Sequence, residues 1–169
     1  MDDYDGFRAF VYSRERALMR TAYLLTGDPH LAEDLLQSVL AKVAQKWHKL
    51  ERDANPEAYA RRALVNEHIS WRRRLRHAEL PSAAPPDLPE RGQDVELKLA
   101  LRDALARLTP KQRAVIVLRY YEDRTERETA DLLGCSVGTV KSQTNYALSK
   151  LRALAPELLS DLDPEEVAR

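Results

Sequence analysis

The segment Pro81-Ser-Ala-Ala-Pro-Pro-Asp-Leu-Pro89 places four prolines in nine positions. Each proline fixes its own φ, has no N–H to donate and disfavours helix in the residue before it. The stretch is therefore extended and cannot be helical. It interrupts a chain of 169 residues, a length that suits one domain or two small ones. We place a first domain at 1–78, a linker at 79–95, a second domain at 96–156 and a tail at 157–169. No internal repeat relates the two sides.

Hydrophobic residues make up 44% of the chain, enough for packed cores. Only 5 glycines and 7% aromatics argue against a β-sandwich, and richness in Ala, Leu, Arg and Glu argues for helix. The expected fold class is all-α, with two small helical domains joined by a flexible, Pro-rich, acidic linker. The longest apolar run, Ala114–Leu118, is far too short to span a bilayer, so no membrane insertion is expected. The acidic start Met1-Asp2-Asp3-Tyr4-Asp5 lacks a signal peptide's basic and apolar parts. A single cysteine, Cys135, allows no intrachain disulfide and no Cys-based zinc site. The expectation is a soluble, cytoplasmic protein without a cofactor.

A balance of 27 basic and 27 acidic residues hides an uneven distribution. Between Arg61 and Arg76 stand six arginines (61, 62, 72, 73, 74 and 76) and one acid, Glu67. From Glu79 to Glu96 there are five acids and only Arg91. The tail carries Glu157, Asp161, Asp163, Glu165 and Glu166 against Arg169. Such sorting bears on partners more than on fold. A basic helix face is commonly just solvated, but this density of arginine also fits a nucleic-acid surface.

Three helices are expected before the linker. Phe7, Phe10, Val11, Leu18, Ala22 and Leu25 recur at helical spacing from about Asp5 to Leu25. Gly27 ends that helix, Asp28 caps the next, and Pro29 sits in its first turn. Leu31, Leu35, Val39, Val43 and Trp47 form the apolar stripe of one amphipathic helix. Asn55-Pro56 opens a third helix to roughly His77. Four shorter helices are expected after the linker. Leu97, Leu101, Leu105 and Leu108 stripe the first. Thr109-Pro-Lys-Gln112 and Thr125-Glu-Arg-Glu128 are capping boxes that open the second and third. Ser136 caps the last, about Val137 to Leu154, which Pro156 closes.

The last two helices have the layout of a helix-turn-helix. Ala130 is small where the second helix must approach, and Gly134 suits a turn that needs left-handed backbone. Val137, Val140 and Leu148 or Leu151 then pack inward. Lys141, Ser142, Thr144, Asn145 and Tyr146 face outward, with side chains of the kind that reach base edges and phosphates in a major groove. An ordinary αα-hairpin with a solvated polar face is the competing reading.

The third helix offers a different surface. Tyr59, Arg62, Asn66, Ser70 and Arg73 fall on about one face, and Trp47, Tyr59 and Trp71 lie in or beside the basic stretch. Aromatics interleaved with arginine suit splayed single-stranded bases, where rings or guanidinium planes stack and amides read edges. Trp47, on the apolar stripe, is better placed in the core.

Three stretches together resemble the extracytoplasmic-function (ECF) sigma factors of bacterial RNA polymerase, in a short, Arg-rich form similar to an actinobacterial subgroup. Asp28-Pro-His-Leu-Ala-Glu-Asp-Leu-Leu-Gln-Ser-Val-Leu-Ala-Lys-Val43 resembles the family's polymerase-clamp-binding helix. Ala58-Tyr-Ala-Arg-Arg-Ala-Leu-Val-Asn-Glu-His-Ile-Ser-Trp-Arg-Arg-Arg74 resembles its −10 recognition helix. Leu108-Thr-Pro-Lys-Gln-Arg-Ala-Val-Ile-Val-Leu-Arg-Tyr120 with Ala130-Asp-Leu-Leu-Gly-Cys-Ser-Val-Gly-Thr-Val-Lys-Ser142 resembles its −35 domain. The last alone is shared with other regulators; the three in this order, about a linker, are specific.

The resemblance implies a non-enzymatic subunit. Its partners would be core RNA polymerase, through the β′ clamp helices and the β subunit, and promoter DNA; an anti-sigma factor is a further partner common in the family. The 1–78 domain would be region 2-like and the 96–156 domain region 4-like, a four-helix unit with a helix-turn-helix. Asp34, Gln37, Ser38 and Val39 match polymerase-docking positions. Tyr59, Arg62, Asn66, Ser70 and Arg73 match the surface that holds melted −10 bases. Lys141, Ser142, Asn145 and Tyr146 match −35 contact positions. The acidic linker matches the segment threaded toward the RNA exit channel. Many relatives carry Arg where this chain has Gln143, Tyr146 and Leu148, and often Glu where it has Ser38. A stand-alone helix-turn-helix regulator is the main alternative, and it leaves the Arg61–Arg76 helix unexplained. A metal enzyme built on His30, Glu33, Asp34, Glu67 and His68 has no zincin-like spacing to support it. An adaptor binding a partner helix through the Leu31–Trp47 stripe competes with a core role for that stripe.

Overall fold

The structure is a computed structural model and describes residues 4–75 and 93–156. Helices are the only regular elements among them: α1 (Asp5–Thr26), α2 (Pro29–Gln45), α3 (Trp47–Asp53), α4 (Pro56–Leu75), α5 (Gln93–Ala106), α6 (Pro110–Ile116), α7 (Glu126–Leu133) and α8 (Val137–Leu154). They form two compact units, one built on α1–α4 and the other on α5, α6, most of α7 and α8. Among the described residues no helix is long and apolar enough to cross a membrane. Most of the 79–95 linker and the whole 157–169 tail lie outside the described residues, as do Arg76 and His77. The last three positions of the expected linker already belong to α5.

In the first unit α1, α2 and α4 pack together. Leu18, Leu25, Leu35, Val39, Val43, Leu64 and Val65 are fully buried. Gly27 closes α1 in the left-handed region at φ 72°, where a Cβ would be strained. The Asp28 carboxylate then accepts from the backbone N–H of His30 at 2.8 Å and Leu31 at 3.0 Å, which starts α2 within two residues.

The expected three helices are four. Lys46 leaves helical geometry at φ −109°, ψ 10°, so α2 stops and a short α3 begins at Trp47. The break serves packing: the Trp47 ring is 4% exposed and meets Phe7 edge-on and Phe10 at a tilt, both with centroids 5.6 Å apart. Trp47 is thus core, as its stripe suggested. Leu31 is not; at 37% exposure it lies on the rim of α2.

In the second unit Ala104, Leu105, Leu108, Val115, Val117, Leu118, Val140, Ala147, Leu148 and Leu151 are buried. Leu101, expected in the first stripe, is 38% exposed, and the Leu97 side chain lies outside the described residues. Both capping boxes form. Thr109 Oγ1 accepts from Gln112 N–H at 3.3 Å while Gln112 Oε1 accepts from Thr109 N–H at 3.1 Å. Thr125 and Glu128 make the same reciprocal pair at 3.2 and 2.8 Å. The helix begun at Pro110 runs on to Tyr121 as expected, but Val117–Tyr121 is a π turn. Asp123 follows at φ 53°, one of the few side chains that accept left-handed backbone, and the chain turns into α7.

Candidate nucleic-acid interface

α4 begins where Asn55 Oδ1 accepts from the N–H of Glu57 at 3.0 Å and Ala58 at 3.2 Å, with Pro56 in the first turn. Its inner face is Ala60, Leu64, Val65 and His68, all buried. Helical spacing then forces Arg62, Asn66, Ser70, Arg73 and Arg74 outward, and all five are exposed. Arg61 differs: its guanidinium lies 2.8 Å from Glu57, which also meets Arg14 of α1 at 3.1 Å. That arginine works within the fold, so the run of basic residues is only partly a surface.

Tyr59, Arg62, Asn66 and Ser70 come together in a cleft of about 380 Å³, completed by Lys42, Ala63, Glu67 and Arg74. Arg73 is exposed but does not line it. The Lys46 ammonium lies 5.2 Å from the centroid of the Tyr59 ring. Lys42, Ala63, Glu67 and Arg74 are the cleft residues that the sequence did not single out for this role. Lys42 sits on α2, and only tertiary packing brings it to α4.

Glu67 organises the cleft floor. Its Oε1 accepts from the Ser38 hydroxyl at 2.5 Å and its Oε2 from the Lys42 ammonium at 2.9 Å. Burial pushes the carboxyl's pKa up. The two hydrogen bonds, with the charges of Lys42 and Arg74, outweigh that and hold it below its ordinary value.

The four expected docking residues on α2 do not share one surface. Asp34 and Gln37 are exposed. Ser38 is half-buried and engaged with Glu67. Val39 is fully buried, so it offers no side-chain surface to a partner, and that expectation is corrected. The polar positions and Leu31 form the outer face of the same helix whose inner face is core.

In the second unit Gly134 turns at φ 63°, the Cys135 N–H bonds the Ala130 carbonyl at 3.0 Å, and Ser136 Oγ caps the Thr139 N–H at 3.1 Å. Ala130 is 4% exposed, the small residue that the turn requires. Lys141, Ser142, Asn145 and Tyr146 are all exposed at i, i+1, i+4 and i+5 along α8, hence on one side. The Lys141 ammonium is 3.7 Å from a Glu126 carboxylate oxygen. Thr144, expected outward, is 5% exposed and donates to the Val140 carbonyl at 2.8 Å. Val137, expected inward, is 37% exposed. Both errors reflect the helix phase: Val140, Thr144, Ala147, Leu148 and Leu151 are the buried set, and Val137 falls before it at the capped end.

Among the described residues no group of three or more His, Cys, Asp or Glu converges in a way that could hold a metal ion. The His68 ring, weighed as a ligand, is buried in the core.

Two family models match the chain: Sigma-70 region 2 over residues 10–78 and Sigma-70, region 4 over residues 104–153. RNA polymerase sigma-E factor of Streptomyces coelicolor is 39% identical over 96% of this chain and 92% of that relative. ECF RNA polymerase sigma factor SigL of Mycobacterium tuberculosis is 33% identical over 89% of each. The chain belongs to the ECF sigma factors. The solved structure of the sigma factor RpoE in complex with the anti-sigma factor NepR from Bartonella quintana is 27% identical to this ECF sigma factor. It has a TM-score of 0.71 over 94% of this chain and 99% of that one. An ECF sigma factor works in transcription initiation, and here the α4 cleft and the outer side of α8 lie within the two matched regions.

Proposed function

We propose that this ECF sigma factor directs core RNA polymerase to its promoters through three surfaces. Asp34 and Gln37 on the outer face of α2 dock on the polymerase. The α4 cleft receives bases of the melted −10 strand, with Tyr59 stacking, Asn66 and Ser70 hydrogen-bonding base edges and Arg62 holding a phosphate, while the exposed Arg73 holds a phosphate outside the cleft. Lys141, Ser142, Asn145 and Tyr146 on α8 meet the −35 duplex in its major groove. Domain limits of 1–78 and 96–156 fit this division of labour. The protein itself is no enzyme: the polymerase supplies the chemistry, and the sigma factor supplies register and strand capture. Its place of action is the cytoplasm, with core polymerase and DNA. An anti-sigma factor is a further partner, on the likeness to a sigma factor solved with one.

The observation that carries the reading is the cleft. A cleft lined by an aromatic ring, an amide, a hydroxyl and three cations, Lys42 of α2 with Arg62 and Arg74 of α4, against one internally bonded carboxylate suits unpaired nucleotides. It gives the first unit a nucleic-acid role that a stand-alone helix-turn-helix regulator does not need. Capture of extruded bases offsets an unstacking cost of a few kcal/mol per step.

The test is run-off transcription with core polymerase and this protein on a pool of genomic fragments. New, discrete start sites that depend on the protein are expected. Starts from no template, together with tight sequence-specific duplex binding by the protein alone at physiological salt, overturn the reading in favour of a stand-alone regulator.

A further inference from the structure

The Lys42–Glu67 pair is lopsided. The Glu67 side chain is 9% exposed and the Lys42 side chain 49% exposed, so the carboxylate sits inside while the ammonium reaches the cleft. Both carboxylate oxygens are engaged, one by Ser38 and one by Lys42. An ammonium has three donors and the carboxylate needs one. As a mere strap between α2 and α4 the pair would be redundant, because the Ser38–Glu67 hydrogen bond already joins those helices, and half-exposed ion pairs contribute little stability. A strap also gives no reason for the cation to line a cleft that already holds Arg62 and Arg74.

We propose that Lys42 is a further nucleic-acid contact of the cleft, and that Ser38 and Glu67 are positioning residues that hold its ammonium there. Its ligand is an acceptor oxygen of one unpaired nucleotide, either a phosphate oxygen or a base carbonyl. A volume of about 380 Å³ lies at the low end of small-molecule sites, which suits a single extruded nucleotide and not a duplex. Glu67 confines a long, rotamer-rich side chain before the strand arrives, so less entropy is lost on binding. Lys42 belongs to the helix whose outer face carries Asp34 and Gln37, so the polymerase-docking element also contributes to strand capture. This rests on the −10 reading of the cleft.

The two positioning residues make an unusual demand on experiment. Removing an acid from a cationic DNA-binding cleft should by charge alone strengthen binding. If Glu67 positions Lys42, its loss weakens binding instead. The assay uses the full chain assembled with core polymerase on fork-junction DNA carrying an unpaired −10 strand, with affinity measured against salt. Lys42→Gln is expected to weaken binding about tenfold and to lower the salt slope by about 0.7, the value for one single-strand phosphate. Lys42→Arg should retain most of the affinity. Glu67→Gln and Ser38→Ala should each weaken binding several-fold, and Glu67→Gln should add nothing to Lys42→Gln. Repeating the series with an abasic nucleotide at each −10 position locates the oxygen: an effect that survives places it on phosphate, one that vanishes places it on the base. If Glu67→Gln binds as well or more tightly, or Lys42→Gln changes neither affinity nor slope while Asn66→Ala weakens binding, the proposal fails and the −10 cleft stands. If Asn66→Ala is also without effect, the cleft reading fails with it.

Discussion

Ser38 of α2 donates to Glu67 of α4 at 2.5 Å across 29 positions of sequence, and the Lys42 ammonium reaches the same carboxylate at 2.9 Å. Neither partner is visible to a helical-periodicity argument. Ser38 is a small polar residue beside the apolar stripe of α2, and Glu67 is the one acid in a basic run. Their pairing joins α2 to α4 at one corner of the first unit.

That corner should be acid-sensitive. The Glu67 carboxyl titrates below its ordinary 4.5 in the folded state, because the two hydrogen bonds and the neighbouring cations exceed the effect of burial. A depressed folded pKa contributes stability that is present above the unfolded value and is lost as pH falls through the folded one. Urea melts from neutral pH downward should therefore show a loss beginning near the ordinary carboxylate value. In Glu67→Gln that limb should flatten. The size is about 1 kcal/mol, discounted because the Lys42 side of the pair is half in solvent. An unchanged acid limb in the variant would remove Glu67 from this role.

Cap chemistry made most of the helix starts legible in the sequence. Asp28, Asn55, Thr109, Thr125 and Ser136 each accept backbone N–H groups where expected. Such bonds are local, so residue type and spacing nearly determine them. Phase and tertiary reach were harder. The break at Lys46 exists because Trp47 must meet Phe7 and Phe10, a contact some forty residues away in sequence that no local rule encodes. Thr144 and Val137 exchanged sides because a threonine can satisfy its hydroxyl on the preceding turn and then tolerate burial. Of the expected −10 residues, all but Arg73 line the cleft, but Lys42, Ala63, Glu67 and Arg74 complete it. Lys42 lies on another helix, and its place in the cleft follows from how α2 packs on α4.

Asp34 and Val39 should separate docking from folding on one helix. Asp34 is exposed and Val39 fully buried. Asp34→Arg should keep the melting behaviour of the parent protein and reduce holoenzyme assembly, read by co-elution with core polymerase. Val39→Ala should lower unfolding free energy by about 2 kcal/mol through lost burial and a cavity, with assembly intact once folded. Normal assembly by Asp34→Arg would count against the docking face.

Ser136 is the single side-chain cap at the start of α8. Ser136→Ala should cost about 1 kcal/mol of the second unit's stability and fray the first turn. Lys141 and Ser142 follow within that turn's reach, so −35 affinity should fall while −10 strand capture is unchanged. Comparing fork-junction and −35 duplex templates with the same holoenzyme measures both.

Lys141 and Glu126 form the counter-example to Lys42 and Glu67. Here the separation is 3.7 Å, the lysine side chain is 62% exposed, and the acid side chain 25% exposed. So loose and wet a pair holds the ammonium in place weakly, and Glu126 should act on DNA chiefly as a nearby negative charge. Lys141→Ala should weaken −35 duplex docking by holoenzyme and lower its salt slope by about 0.9, the share of one duplex phosphate. Glu126→Gln should do the reverse and tighten docking by about twofold, with the gain fading as salt rises. The two acids thus predict opposite signs for the same Glu→Gln change, loss of affinity at 67 and gain at 126. The difference traces to whether the carboxylate is buried and doubly bonded or merely adjacent. Affinity titrations of both variants across salt concentrations test that assignment, and a gain at 67 or a loss at 126 would show that geometry at these sites does not control how the cations meet DNA.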